Sequence, residues 1–134
     1  MDYKLEVAFL SVTDVDRAKE FYVDKVGFHA DHDQRPTDDI RFVQCTPPGS
    51  ACSIAFGTGL GFTSTARPPL MLVVDDANAA HDELASRGVA VSEVDEQPWG
   101  RFVYFTDPDG NGWSLQELPD WSRGAGGSGT ADWS

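Results

Sequence analysis

The chain says nearly the same thing twice. Residues Leu10–Asp33 (LSVTDVDRAKEFYVDKVGFHADHD) return about 62 residues later as Leu72–Asp95 (LVVDDANAAHDELASRGVAVSEVD). Val12 answers to Val74, Asp14 to Asp76 and Ala18 to Ala80, while Gly27 answers to Gly88 one residue out of step. The segments that follow also correspond. Phe42-Val43-Gln44-Cys45-Thr46 and Phe102-Val103-Tyr104-Phe105-Thr106 each run into a Pro/Gly turn. A copied stretch of this size is a supersecondary module, and two modules must share a core or a cleft to bury their apolar faces. A ligand site is therefore expected between the halves, where both supply walls.

Each half reads as strand, helix, then three strands, an α+β fold of two βαβββ repeats. Leu5–Val12 is a β-rich run. Thr13 or Asp14 then caps a helix, with Asp16 in its first turn, where the helix dipole favours an anion. Ala18, Phe21, Tyr22 and Val26 fall at helical spacing and face the sheet, and Gly27 suits the left-handed residue that ends the helix. Phe28–Asp33 is read as a short strand, Gln34–Asp39 as a turn, and Ile40–Thr46 with Ala51–Gly57 as a hairpin. In the second half Leu70–Val74 is a strand, Asp75 or Asp76 caps a helix reaching Arg87, and Gly88 ends it. Val89–Val94 is read as the next strand. Arg101–Thr106 and Gly112–Leu118 close a hairpin around Asp107-Pro108-Asp109-Gly110-Asn111. The expected modules are residues 1–57 and 69–118, joined by a Gly/Thr/Ser/Pro-rich linker over 58–68. Residues 119–134, poor in apolar side chains, are expected to be a disordered tail.

Charge narrows the partners. With 22 acidic against 10 basic residues the net charge is −12, which argues against nucleic acid or an anionic membrane. No apolar run approaches the ~18 residues of a membrane span, and Met1-Asp2-Tyr3-Lys4 lacks the features of a signal peptide. A cytoplasmic location is expected. Cys45 and Cys52 flank the turn Thr46–Ala51, and in a reducing compartment they are read as two unpaired thiols rather than a disulfide.

The segments Val12-Thr13-Asp14-Val15-Asp16-Arg17-Ala18, Phe21-Tyr22, Val26-Gly27-Phe28, Val73-Val74-Asp75-Asp76 and above all Phe105-Thr106-Asp107-Pro108-Asp109-Gly110-Asn111 resemble the vicinal oxygen chelate superfamily. That superfamily contains glyoxalase I, bleomycin-resistance proteins, fosfomycin-resistance enzymes and extradiol dioxygenases. The resemblance covers residues 5–118. It implies a curved mixed sheet wrapped around a central cleft, and a homodimer. The motifs themselves do structural work: Pro108 fixes φ, and Gly110 and Asn111 tolerate positive φ in a tight hairpin. Metal binding by Asp107 and Asp109 is the lesser reading.

Metal-dependent members of that superfamily place a His or Glu on the first and last strands of each half. Aligned on this chain, those positions fall at Val7, Ser53, Pro69 and Ser114. Zinc, iron and nickel need imidazole, carboxylate or thiolate donors, and none of the four supplies one. Glu6 and Glu117 lie near these positions but face the opposite side of a regular strand. His81 reads as a solvated helix residue, and His29 and His32 point to opposite faces of a strand. No cofactor or metal is expected.

Strand alternation then defines the lining. Val7, Phe9 and Ser53 share the inward face of the first half, and Met71, Ser114 and Gln116 that of the second. Gln44, Phe102 and Tyr104 add walls, with the inward one of Phe102 and Tyr104 left open. Trp99, in the loop Gln97-Pro98-Trp99-Gly100, either stacks on a planar ligand or packs on its own sheet or a dimer partner. Trp113 belongs to the core. An apolar lining with a few neutral polar groups and no paired nucleophile and base suits a protein that encloses a small planar or apolar molecule, antibiotic or metabolite. The alternative is a glyoxalase-like lyase or isomerase, or a dioxygenase. Another is a cleft filled by side chains, leaving a dimeric interaction module.

Overall fold

Both helices begin where an aspartate turns the chain. In the computed structural model, which describes residues 1–60 and 69–119, the Asp14 carboxylate accepts the Arg17 amide at 3.0 Å and Asp76 accepts the Ala79 amide at 3.1 Å. Each aspartate is thus the N-cap, supplying the acceptor that the first helical turn lacks. Helix α1 (Val15–Lys19) continues directly as a π-helical stretch over Glu20–Val26, and helix α2 spans Ala77–Ser86. Gly27 and Gly88 leave these helices at φ of 93° and 86°, the left-handed conformation that favours a residue without Cβ.

The strands form two sheets. β1 (Val7–Phe9), β2 (His29–Thr37), β3 (Ile40–Thr46) and β4 (Ser53–Thr58) are ordered β1-β4-β3-β2. β5 (Leu70–Val74), β6 (Asp95–Gln97), β7 (Gly100–Thr106) and β8 (Gly112–Glu117) are ordered β5-β8-β7-β6. In each sheet the first strand pairs parallel with the last, and the other pairings are antiparallel. This is the repeated βαβββ plan. The chain divides into two compact units, Met1–Pro68 with Asp107–Asn111, and Pro69–Thr106 with Gly112–Ser134. Residues 61–68 and 120–134, which hold most of the expected linker and tail, lie outside the described residues. No helix among the described residues is long and apolar enough to cross a membrane.

Each unit buries one sheet face under its helix. In the first, Val43, Cys45, Ile54 and Phe56 are buried with Ala18 and Tyr22. The Tyr22 ring lies 5.6 Å from that of Phe28 and 5.9 Å from that of Phe56. In the second, Val103, Phe105, Trp113 and Leu115 are buried, with Phe105 and Trp113 stacked at 6.1 Å, and α2 contributes Ala77 and Leu84. An arginine bridges helix to sheet in each unit. Arg41, second residue of β3, donates to Asp16, second residue of α1, at 2.6 Å. Arg101, second residue of β7, donates to Asn78, second residue of α2, at 3.3 Å. The same connection is built twice.

Boundaries differ from the sequence reading most in three places. β1 covers only Val7–Phe9 of the expected Leu5–Val12. β2 runs through Gln34 to Thr37, and the turn is confined to Asp38 and Asp39. Its polar composition is that of an edge strand, solvated on most of its length, with Pro36 tolerated and two register irregularities in the ladder. The expected strand Val89–Val94 is irregular, and the edge strand is the later Asp95–Gln97. The Ser92 hydroxyl accepts the Tyr104 amide while the Ser92 amide donates to the Tyr104 carbonyl, so a side chain takes a place that a regular ladder gives to backbone.

Candidate functional site

Opposite its helix, each sheet presents a second face, and the candidate residues sit there. In the first unit the register pairs Val7 with Ser53 and Phe9 with Ala55, and Ala55 with Gln44 on the next strand. Cross-strand partners share a face, so Val7, Phe9, Gln44 and Ser53 are neighbours as the sequence implied. Ser53 and Ala55 are buried, Val7 and Gln44 are half-buried and Phe9 is exposed. In the second unit Met71 pairs with Ser114, which pairs with Tyr104. Val73 pairs with Gln116, which pairs with Phe102. Met71 is 56% exposed, Val73 57% and Tyr104 40%, so this face carries large apolar groups in water.

The open choice between Phe102 and Tyr104 resolves against both alternatives. Two residues apart on one strand, they share a face, with rings nearly parallel at 6.1 Å. Phe102 is buried and Tyr104 lies outward of it. Trp99 is half-exposed in the turn between β6 and β7, and its carbonyl accepts an N–H of the fully buried Gln116 side chain at 3.1 Å. Trp113 is core, as read from the sequence.

Polar chemistry on these faces is more organised than the sequence disclosed. The Tyr104 hydroxyl donates to Asp95 at 2.8 Å, and Gln97 donates to the other Asp95 oxygen at 2.9 Å. Burial, and then the hydrogen bond to the Asp95 carboxylate, push the Tyr104 pKa up. In the first unit the Thr46 hydroxyl donates to Asp31, and the Ser53 and Thr46 hydroxyls lie 2.6 Å apart. His29 stands 3.7 Å from Asp31 at the exposed edge. The signal that would have revealed these partners was the cross-strand register, which a sequence read strand by strand does not contain. An open depression of about 430 Å³ lies against Ala90, Val91 and Ser92 on one side and Tyr104, Phe105 and Thr106 on the other.

The register also corrects the internal alignment. Counting along the ladders from Met71–Ser114 places Gly112 beside Pro69, and a Cβ on Gly112 would lie 4.0 Å from that of Pro69. The twin of Ser53 is thus Gly112, and that of Ser114 is Ala55, two residues from the serine-to-serine match. The shift is even, so the face is preserved. None of Val7, Ser53, Ala55, Pro69, Gly112 or Ser114 carries an imidazole, carboxylate or thiolate, and the metal centre of the metal-dependent superfamily members does not fit these residues. Among the described residues no group of three or more His, Cys, Asp or Glu side chains stands close enough to hold a metal ion.

Asp107 and Asp109 serve the fold. Asp107 is buried and accepts the Tyr22 hydroxyl at 2.7 Å, the Asn111 side chain at 2.8 Å and the amides of Asp109 and Asn111. Asp109 accepts both the amide and the hydroxyl of Thr13, and Arg17 at 3.2 Å. Cys45 and Cys52 are free thiols, with burial first and the Asp31 charge second pushing Cys45 up to about 11. His81 lies beside Asp82 on α2.

Two mixed four-stranded sheets, each built on a βαβββ plan with one face left without a helix, define a protein of the glyoxalase/bleomycin-resistance fold. The chain belongs to the Glyoxalase/Bleomycin resistance protein/Dioxygenase superfamily, which it matches over residues 4–115, and the resemblance drawn from its motifs holds. Among solved structures it is similar to TnmS3, an antibiotic binding protein from Streptomyces sp. CB03234, with 34% identity, TM-score 0.77, and 88% of this chain and 98% of that one covered. It is also similar to a superfamily member from Sphaerobacter thermophilus DSM 20745, with 30% identity, TM-score 0.72, and 86% and 97% covered. The uncharacterized protein YetH of Bacillus subtilis (strain 168) is 27% identical over 111 residues, 79% of this chain and 91% of that protein.

Proposed function

We propose that this chain binds a small planar or apolar molecule, an antibiotic or a metabolite, on the helix-free faces of its sheets and without a metal. The observation that carries the reading is the row of Met71, Val73 and Tyr104 left exposed on one sheet face, with half-exposed Trp99 at its end. A contiguous apolar surface of this kind marks an interaction site in a water-soluble domain. Aromatic side chains supply large contact area at little entropic cost. In this reading Met71, Trp99, Tyr104, Ser114 and Gln116 contact the ligand in the second unit, and Val7, Phe9, Gln44 and Ser53 in the first. The likeness to an antibiotic binding protein supports the same class of ligand. The working form is a cytoplasmic homodimer, checked by sedimentation equilibrium.

Titration of intrinsic tryptophan fluorescence with planar antibiotics and aromatic metabolites tests the binding. Saturable quenching in the micromolar range is expected, weakened about tenfold or more by Trp99→Ala, the size of a ~1.4 kcal/mol contact. Unsaturable responses to the whole panel would remove the reading. Unchanged affinity in Trp99→Ala, with the fold intact by circular dichroism, would remove Trp99 from the site.

A further inference from the structure

Resting on that binding reading, the hydrogen-bond polarity of the two faces says what the ligand must bring. A hydroxyl has one proton and two lone pairs, whereas an ionised carboxylate only accepts. The Tyr104 proton is committed to Asp95 at 2.8 Å, so the phenol oxygen faces its surroundings as an acceptor. Thr46 commits its proton to Asp31, and Ser53, 2.6 Å from Thr46, must then be the donor of that pair. Ser53 is therefore also left with lone pairs alone. Both chains of hydroxyls end on a carboxylate, and each is oriented by it.

The arginines of the inner strands lie elsewhere, while Arg35 and His29 belong to the exposed edge strand β2. Arg41 and Arg101, the arginines of β3 and β7, reach to the helix side, where they hold Asp16 and Asn78. Neither is turned toward the faces that carry Tyr104 and Ser53, and the chain as a whole is at −12. A ligand carboxylate or phosphate would meet oriented oxygen lone pairs and a negative field. A phenol, aryl amine or amide N–H would complete a hydrogen bond.

We propose that Tyr104, oriented by Asp95, is a specificity-determining acceptor that selects aromatic ligands bearing an O–H or N–H donor, and that Ser53, oriented through Thr46 by Asp31, has the same polarity in the first unit. Hydroxypyrene, methoxypyrene and pyrene carboxylate share one ring system and differ in what they offer Tyr104: a donor, a masked oxygen, and an anion. Binding of all three to the full chain is measured by fluorescence titration at neutral pH. Hydroxypyrene is expected to bind about tenfold more tightly than methoxypyrene, as for one hydrogen bond of about 1.4 kcal/mol, and the carboxylate most weakly. In Tyr104→Phe the preference for hydroxypyrene over methoxypyrene falls toward unity while methoxypyrene affinity is retained. Glu83→Gln, which removes a charge from α2, leaves the preference in place.

If hydroxypyrene and methoxypyrene bind equally well to the wild-type chain, the donor preference is wrong and the binding reading stands. An equal loss of preference in Glu83→Gln and Tyr104→Phe assigns the effect to general charge and overturns the role of Tyr104. Failure of all three probes to bind overturns the binding reading, and the inference with it.

Discussion

The hydroxyl of Tyr22 donates to a carboxylate oxygen of Asp107 at 2.7 Å, across 85 residues of chain. Both groups are buried. Asp107 collects three further donors from its own loop, so the Asp-Pro-Asp-Gly-Asn turn is a polar hub with every Asp107 lone pair directed. A buried carboxylate is tolerable only when so satisfied. Tyr22→Phe removes one of four donors and is expected to cost about 1–2 kcal/mol. Asp107→Ala strands the tyrosine hydroxyl and the Asn111 side chain, and is expected to cost about 3 kcal/mol or more. Urea unfolding measures both, and equal small losses would contradict the hub.

Arg41 and Arg101 repeat one connection in two environments. Arg41 is buried between Asp33 and Asp16, whereas Arg101 is a third exposed. Arg41→Met should cost about 2–3 kcal/mol, because it leaves Asp33 beside an apolar side chain. Arg101→Met should cost under about 1 kcal/mol, as expected for a solvated pair. Thermal unfolding of the two variants gives the comparison directly, and a reversed order would refute it.

Acid should find Asp33 before it finds the core. Hydrogen bonds from Arg41, then Lys19, hold the Asp33 carboxyl well below the usual carboxylate range. A depressed folded-state pKa gives stability that is complete above the unfolded value, about 4, and is lost as pH falls below it. The stability gap between wild type and Asp33→Asn is therefore expected to be constant from pH 7 to about 5 and to shrink toward pH 3. A gap that persists undiminished at pH 3 would rule out the linkage.

Alkylation separates the two thiols. Cys45 is buried and pushed up to about 11, while Cys52 is partly exposed. Iodoacetamide at neutral pH should label Cys52 in the native state and Cys45 only on unfolding. Peptide mass spectrometry reads the order, and simultaneous native labelling would show that the sheet opens there.

Gly57 is a place where the backbone comes too close for any side chain. A Cβ there would stand 1.9 Å from the Arg41 carbonyl oxygen. Gly57→Ala is expected to cost about 2–4 kcal/mol, by forcing apart the β3–β4 ladder. A variant with wild-type melting temperature would contradict the geometry.

Chelation should leave ligand affinity alone. If binding uses no metal, exhaustive dialysis against EDTA shifts the fluorescence titration by less than about twofold, because no donor set at Val7, Ser53, Pro69 or Gly112 waits for an ion. A large loss restored by nickel, zinc, iron or manganese would replace the metal-free reading.

What was legible in the sequence was whatever lives in a local period or a duplicated spacing. The helix starts at Thr13 or Asp14 and at Asp75 or Asp76, the Gly27 and Gly88 exits, β5 and the core place of Trp113 came from such patterns, and the cap hydrogen bonds chose Asp14 and Asp76. The Gln34–Thr37 end of the polar edge strand β2 reads as turn because solvated edges and turns draw on the same residues. The Ser53–Ser114 match failed for another reason: like residues aligned by identity, whereas hydrogen-bond ladders align by register. Candidate neighbours such as Met71 and Ser114 survived because alternation depends only on parity. The carboxylate partners of Tyr104 and Thr46 were invisible, since the register across the β6–β7 and β2–β3 hairpins, and not the sequence of either strand, decides which side chains meet.

The hub at Asp107–Asn111 is grouped with the first half although it is encoded near the end of the second. On the ribosome, the first half therefore emerges long before it is complete. Tyr22 must wait, its hydroxyl solvated or served by water, until some 85 more residues have been made. Closing so long a loop is entropically costly and slow compared with forming the local hairpins. Synthesis order thus makes a turn encoded in the second repeat responsible for finishing the fold begun by the first.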